Sequence, residues 1–297
     1  MSMRLLLPTL LVAAFPFALM AATPINETRP LDARGKIEIS NVKGRIQVRT
    51  WDKPQVRIGG TLGRGVEKLE IEGDASELEV KVRYPHNTND RNSEPTDLVL
   101  DVPTLASLDI DGVSAAIDVT GTAGRTLEIN SVSGEVTVAG APASADIESV
   151  SGNLRLTLNS ANVDVQTVSG NVTLRGRITG EIESETVSGS VGIDSRNERV
   201  KRLSSNSVSG DATLQVGLAD GGKITAESVS GSITVIAPKS LSATVSGESF
   251  SGHLSAPGAT IHKPEFGPGA DFEQRYGNGS GEIHMETFSG SAELRLE

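Results

Sequence analysis

No cysteine occurs anywhere in the 297 residues. That absence excludes disulfides, thiolate metal sites, a thiol nucleophile and a lipidated N-terminal cysteine. Aromatic residues are nearly as scarce, with one Trp, two Tyr and six Phe, so surfaces on which sugar rings stack are few. Of the four histidines, His253, His262 and His284 fall close together in sequence but lack the spacing of a metal set. Long hydrophobic runs are missing beyond the first 22 residues. Those residues read as a secretory signal peptide. Arg4 supplies the charged start, Leu5 to Met20 the apolar run, and Ala21-Ala22 the small residues near a cleavage point. Pro8 and Pro16 interrupt the run, which is short for a membrane span of about 20 residues. The expected mature protein is exported and soluble, with no transmembrane anchor after signal cleavage, in the periplasm or at the cell surface; the alternative is that the segment stays as an uncleaved anchor. Nucleophile-elbow, phosphate-loop and zinc-helix motifs are also missing. The sequence therefore points away from an enzyme and implies no cofactor and no metal.

Positive charge is in short supply too. The formal net charge is −11, and removal of Arg4 with the signal peptide leaves −12. Residues 23–100 hold 13 basic and 13 acidic residues, whereas 101–297 hold 13 and 25. The second part thus carries the whole excess. Such a surface repels phosphates, so nucleic acid is not an expected partner.

What the sequence has in abundance is one short phrase. "SVSGEV" begins at Ser131, "SVSGNL" at Ser149, "TVSGNV" at Thr167, "TVSGSV" at Thr186, "SVSGDA" at Ser207, "SVSGSI" at Ser228, "SFSGHL" at Ser249 and "TFSGSA" at Thr287. The glycines fall at 134, 152, 170, 189, 210, 231, 252 and 290, in steps of 18, 18, 19, 21, 21, 21 and 38, the last being two periods. "LDIDGVSAAIDV" and "IEISNVKGRIQV" extend the series toward the N-terminus, with Ala115 and Gly44 at the glycine site. Aligned on the phrase, apolar residues alternate with polar ones on both sides of the Ser-Gly corner. Leu127, Ala145, Val163 and Ile182 form one column and Val136, Leu154, Val172 and Val191 another. Period-two alternation means strand, turn, strand. A unit of about 20 residues cannot bury its apolar face alone and must stack on its neighbours. The predicted fold is all-β: a single-chain parallel β-solenoid with two short strands per 18–21-residue rung. The Ser or Thr before the apolar residue reads as an inward hydroxyl ladder, and the glycine as the source of backbone freedom at the corner. Residues 23–107 read as an irregular N-terminal part or cap, and 108–297 as the regular solenoid with an aromatic-rich insertion at 253–281.

The opening "GKIEISNVKGRIQVRTWDKPQVRIGGTLG" (Gly35 to Gly63), "LVLDVP" (Leu98 to Pro103) and the SVSG series together resemble a bacterial family of exported β-strand-repeat domains named putative adhesins. The resemblance spans nearly all of the mature chain. It implies a β-solenoid in the cell envelope and carries over no catalytic residues.

Two candidate sites follow. Glu128, Asp146, Glu148, Asp164, Glu183 and Glu185 gather on the outward face of one strand column. They make either a solvated, solubilising face or a docking strip for a cationic partner or Ca²⁺. The calcium-binding nonapeptide repeat is absent. The second candidate is the loop bearing Phe266, Phe272 and Tyr276, in "HKPEFGPGADFEQRYGNGSG". It is either a recognition loop or a flap over the side or end of the stack. Trp51 beside Asp52 is a cap plug or a stacking platform. The chain's last strand, "SAELRLE", has no evident cap and leaves end-to-end association open. The expected function is that of a non-enzymatic envelope protein, adhesin-like or scaffolding, with a protein or glycan partner. The alternatives are a periplasmic binder of cationic envelope ligands and a carbohydrate-active solenoid enzyme.

Overall fold

A computed structural model describes residues 23–85 and 93–297. Residues 1–22, read above as a signal peptide, and most of the polar run from 86 to 95 lie outside the described residues. The described chain is all strand, turn and loop, with no helix among the described residues.

The columns aligned from the sequence are the pairing register of the structure. Strand Ser144–Ser149 lies parallel between Thr126–Ser131 and Asn162–Thr167, with Ala145 opposite Leu127 and Val163. The second strand of each rung stacks likewise, with Leu154 between Val136 and Val172. The degenerate copies join in register as well, Gly44 lying opposite Ala115. Within each strand buried and exposed residues alternate, as in BeBeB over Leu154–Leu158. The two inward faces therefore meet in one continuous core of Val, Ile, Leu and Ala. Neighbouring rungs stand about 4.8 Å apart.

The sheet is mixed rather than wholly parallel, and the departures are at the ends. Strand Lys36–Trp51 pairs on one side with Ser107–Thr120. Its other side receives Glu77–Arg83 along its first half and Thr96–Pro103 along its second. Three further strands close that end in antiparallel fashion. Lys68–Gly73 lies on Glu77–Arg83, Gln55–Leu62 on Thr96–Pro103, and Thr23–Pro30 on Gln55–Leu62. Of these only Lys68–Gly73 and Glu77–Arg83 are joined by a short turn; together the antiparallel strands close an end where another parallel rung would have left an edge exposed.

At the other end the chain abandons its own order. Strand Gly281–Thr287 is inserted between Lys223–Ser228 and Ala243–Ser249, parallel to both. Ala292–Leu296 pairs with Ile233–Ala237 on one side and with Leu254-Ser255 on the other. The expectation of a free C-terminal strand is thus corrected: the last rung is interior. The outermost rung is the one before it, and Ala270–Tyr276 covers it antiparallel. The crossing is made at Gly277–Ser280, where Gly277 and Gly279 hold positive φ values of 56° and 67°. Ser242 pins that turn, its Oγ accepting from the Asn278 amide at 3.1 Å and its carbonyl from the Gly281 amide at 3.0 Å.

The phrase's glycine has a different role from the one read from the sequence. None of the eight glycines of the phrase itself has a positive φ, although Gly44 of the degenerate copy does, at 112°. Instead a Cβ on Gly170 would stand 2.0 Å from the Gly152 carbonyl oxygen, and one on Gly152 1.9 Å from that of Gly134. The glycines stack backbone on backbone, and the repeat needs the missing side chain rather than the missing restraint.

Candidate docking groove

The corner that the phrase builds turns two consecutive residues outward. Inward parity holds up to the hydroxyl, so Ser149, Thr167 and Thr186 are buried. The next residue, Val in most rungs, is exposed, and so is the serine after it. Ladder bonds nevertheless continue through the corner, for example from the Val168 amide to the Ser149 carbonyl at 3.1 Å and from Ser169 to Val150 at 2.8 Å. The outward serine hydroxyl is satisfied within the stack, Ser151 Oγ donating to the Val132 carbonyl at 3.1 Å. The valines therefore form a straight apolar stripe at rung spacing, each about half exposed, from 45 % at Val132 to 51 % at Val229.

Phe288 and Phe250 continue the stripe in spatial order, their rings stacked at 4.6 Å and 6°. The column two residues before each valine forms the opposite wall. Between the two lies a groove of about 880 Å³ floored by the hydroxyl column, in which no lysine or arginine of the described residues takes part. At Glu286 and Phe288 the groove meets a second hollow of about 580 Å³, whose far side is His262, Lys263, Pro264 and Pro268.

The acidic strip falls into two columns. Glu128, Asp146, Asp164 and Glu183 are stacked in register on the open strand face. Glu148 and Glu185 belong instead to the groove wall. Among the described residues no three His, Asp or Glu side chains stand close enough to hold a metal ion. The Asp164 carboxyl lies above the ordinary carboxylate range, first because burial disfavours its charge and then because Asp146 and Glu183 flank it. Its Oδ1 is buried without a hydrogen-bond partner. A folded-state value raised above the unfolded one means that the native protein holds this proton more tightly. Stability is therefore lost as pH rises from the unfolded value, about 3.9, through the raised folded one. Asp164→Asn is expected to raise the melting temperature at pH 7, with the gain shrinking as pH falls through the raised folded value and gone below about pH 4. An equal or lower melting temperature at pH 7 would contradict this.

The aromatic-loop residues are not brought together as a site. Phe272 is 2 % exposed and lies over Gly247, where a Cβ would approach its Cε1 to 2.3 Å. It plugs the end of the core and is unavailable to a ligand. Tyr276 is half-buried and donates its hydroxyl to the Pro257 carbonyl at 2.7 Å. Phe266 alone is open, at 87 %. Trp51 is half-buried; its Nε1 donates to the Gln55 carbonyl at 2.8 Å, and Lys53 and Arg57 lie over its ring at 4.8 and 5.6 Å. The valine stripe is the feature that reading by alternation missed. Its signal was the outward apolar residue in every phrase, which strict period-two parity leaves without a place.

Residues 29–221 match the Toastrack DUF4097 family. The chain belongs to the toastrack family. No curated protein matches it significantly. Solved structures share the fold at low identity. A "putative adhesin" from Parabacteroides merdae is 12 % identical with TM-score 0.54, over 92 % of this chain and 96 % of its own. Another from Parabacteroides distasonis is 14 % identical with TM-score 0.53, over 92 % and 97 %. A "putative lipid binding protein" from Parabacteroides distasonis is 12 % identical with TM-score 0.50, over 92 % and 96 %. Among the described residues of this toastrack chain no helix is long and apolar enough to cross a membrane.

Proposed function

We propose that this toastrack protein is a non-enzymatic interaction module of the cell envelope. In this reading it is a single-chain β-solenoid rod that is exported to the periplasm or cell surface and docks an envelope partner along the valine groove. The observation that carries the reading is the unbroken half-exposed stripe from Val113 to Phe250. Scattered apolar residues on a surface need no explanation, whereas a contiguous apolar row marks an interaction site. The names of the structural neighbours agree with an adhesive or ligand-binding role. The open carboxylate column offers a second, weaker contact for cations, without convergent geometry.

A photo-crosslinking residue at Val168, compared with one at Arg155 on the opposite strand ladder, tests the reading in the cells that make the protein. A discrete adduct from position 168 and none from position 155 is expected. Equal labelling, or no adduct from 168, would remove the groove from consideration. Purified protein is also expected to release no product from a panel of envelope polysaccharides, and turnover of any of them would overturn the non-enzymatic assignment.

A further inference from the structure

We infer that the occupant of the groove is a basic amphipathic α-helix of another protein, lying along the rod axis with a lysine or arginine in each heptad. The inference rests on the docking reading above and adds the partner's chemistry. It comes from the order of the groove wall. Asp111, Glu148, Glu185 and Glu227 alternate there, rung by rung in register, with Asn130, Gln166 and Asn206. As far as Glu227 the alternation keeps carboxylates two rungs apart, and beyond it Glu286 stands directly beside Glu227; where an amide adjoins an acid it can bridge to it, as Asn130 Nδ2 donates to Asp111 Oδ1 at 3.2 Å. Glu148, Glu185 and Glu227 form no ion pair with any described lysine or arginine, and none of those residues lines the groove. The wall is thus a row of uncompensated negative charges beside an apolar stripe.

Spacing selects the occupant. Two rungs span about 9.6 Å. One heptad of α-helix spans about 10.5 Å, so the mismatch from Asp111 to Glu227 accumulates to about 2.7 Å, within the reach of a lysine's flexible stem. A strand laid along the same axis repeats its face about every 6.8 Å, so it falls behind by about 2.8 Å at each interval and by about 8.4 Å at Glu227, out of register with the row. The helix's apolar face, one turn per about 5.4 Å, would ride on the valines, and its N- or C-terminal aromatic or leucine side chain on the Phe250–Phe288 stack. A second copy of this chain would bring carboxylate row against carboxylate row, and an anionic lipid surface would meet the same repulsion.

The test uses the purified mature chain and a labelled helical peptide of about 21 residues, with Leu on one face and Lys at heptad spacing. Three comparators are used: its sequence-scrambled isomer, a Glu-for-Lys version, and vesicles of anionic phospholipid. Saturable binding of the Lys helix alone is expected. Glu148→Gln, Glu185→Gln and Glu227→Gln together are expected to weaken it by about tenfold and to flatten its salt dependence. Val150→Thr, Val168→Thr and Val187→Thr together keep the β-branched shape and are expected to abolish it. Melting curves of both triple variants serve as the folding control. Equal binding of the scrambled isomer or of the Glu helix, or binding unchanged in the Gln variant, overturns the basic-helix inference. If the Gln variant binds as before while the Thr variant does not, the groove still docks an apolar partner and only its charge assignment falls. Binding undiminished in the Thr variant sinks the groove reading as well.

Discussion

Gly170→Ala is expected to destabilise the protein by about 3 kcal/mol or more, the upper end of what inserting a methyl group into a packed interior costs. The new Cβ would sit 2.0 Å from the Gly152 carbonyl oxygen. Both partners are backbone, so no rotamer change relieves the contact. The rungs must separate locally, stretching the bonds from Val168 to Ser149 and from Ser169 to Val150, now 3.1 and 2.8 Å. Because Gly189 stacks on Gly170 in the same way, the displacement is passed to the next rung. Gly192→Ala is the matched control. There a Cβ meets only the Val172 carbonyl oxygen, at 3.8 Å, and φ is not positive. That change is expected to be neutral, or to stabilise by up to about 1 kcal/mol by restricting the unfolded chain. Thermal unfolding of the two variants side by side decides the matter. Equal melting temperatures would return the corner glycine to the role of a simple turn residue.

Phe272→Ala is expected to cost about 3–5 kcal/mol, the range for deleting a fully buried aromatic side chain. The loss is concentrated at one end of the stack. Phe272 lies across from Gly247, whose missing side chain makes room for the ring. Without the ring, Ala270–Tyr276 loses its only buried large side chain and peels from Ala243–Ser249. That exposes an unpaired strand edge, so local opening precedes global unfolding and the variant associates with itself. Limited proteolysis is expected to cut first between 256 and 269, and sedimentation should show concentration-dependent oligomers. Phe272→Leu, which keeps most of the burial, is expected to retain the wild-type cleavage pattern. A Phe272→Ala protein that resists protease like the wild type would show that the end is held by something other than this plug.

Much of the architecture was legible because the side-chain direction within a strand is a local property. Ala145 had to point the same way as Ile147, and a one-residue slip would have turned every apolar residue outward. Aligning the phrases therefore aligned the rungs, and Leu127, Ala145, Val163 and Ile182 are in fact ladder neighbours. Five of the six acidic residues are exposed and Asp164 is half-buried, but alternation alone did not show that Glu148 and Glu185 face a groove while Asp146 and Asp164 face away from it. That division depends on the bend at the corner, where two successive residues turn outward.

By itself the sequence determined the all-β class, the rung length and the register, and its lack of cysteine excluded thiol chemistry. The tertiary structure decided the order of the last rungs, the antiparallel closures and the groove. The physical reason is degeneracy. Ile283 offers Ile224 or Val245 the same neighbour that either would offer the other, so the columns cannot say which rung lies next to which. The choice was made by contacts unlike the repeat: the ring of Phe272 in the space above Gly247, and the turn held on Ser242.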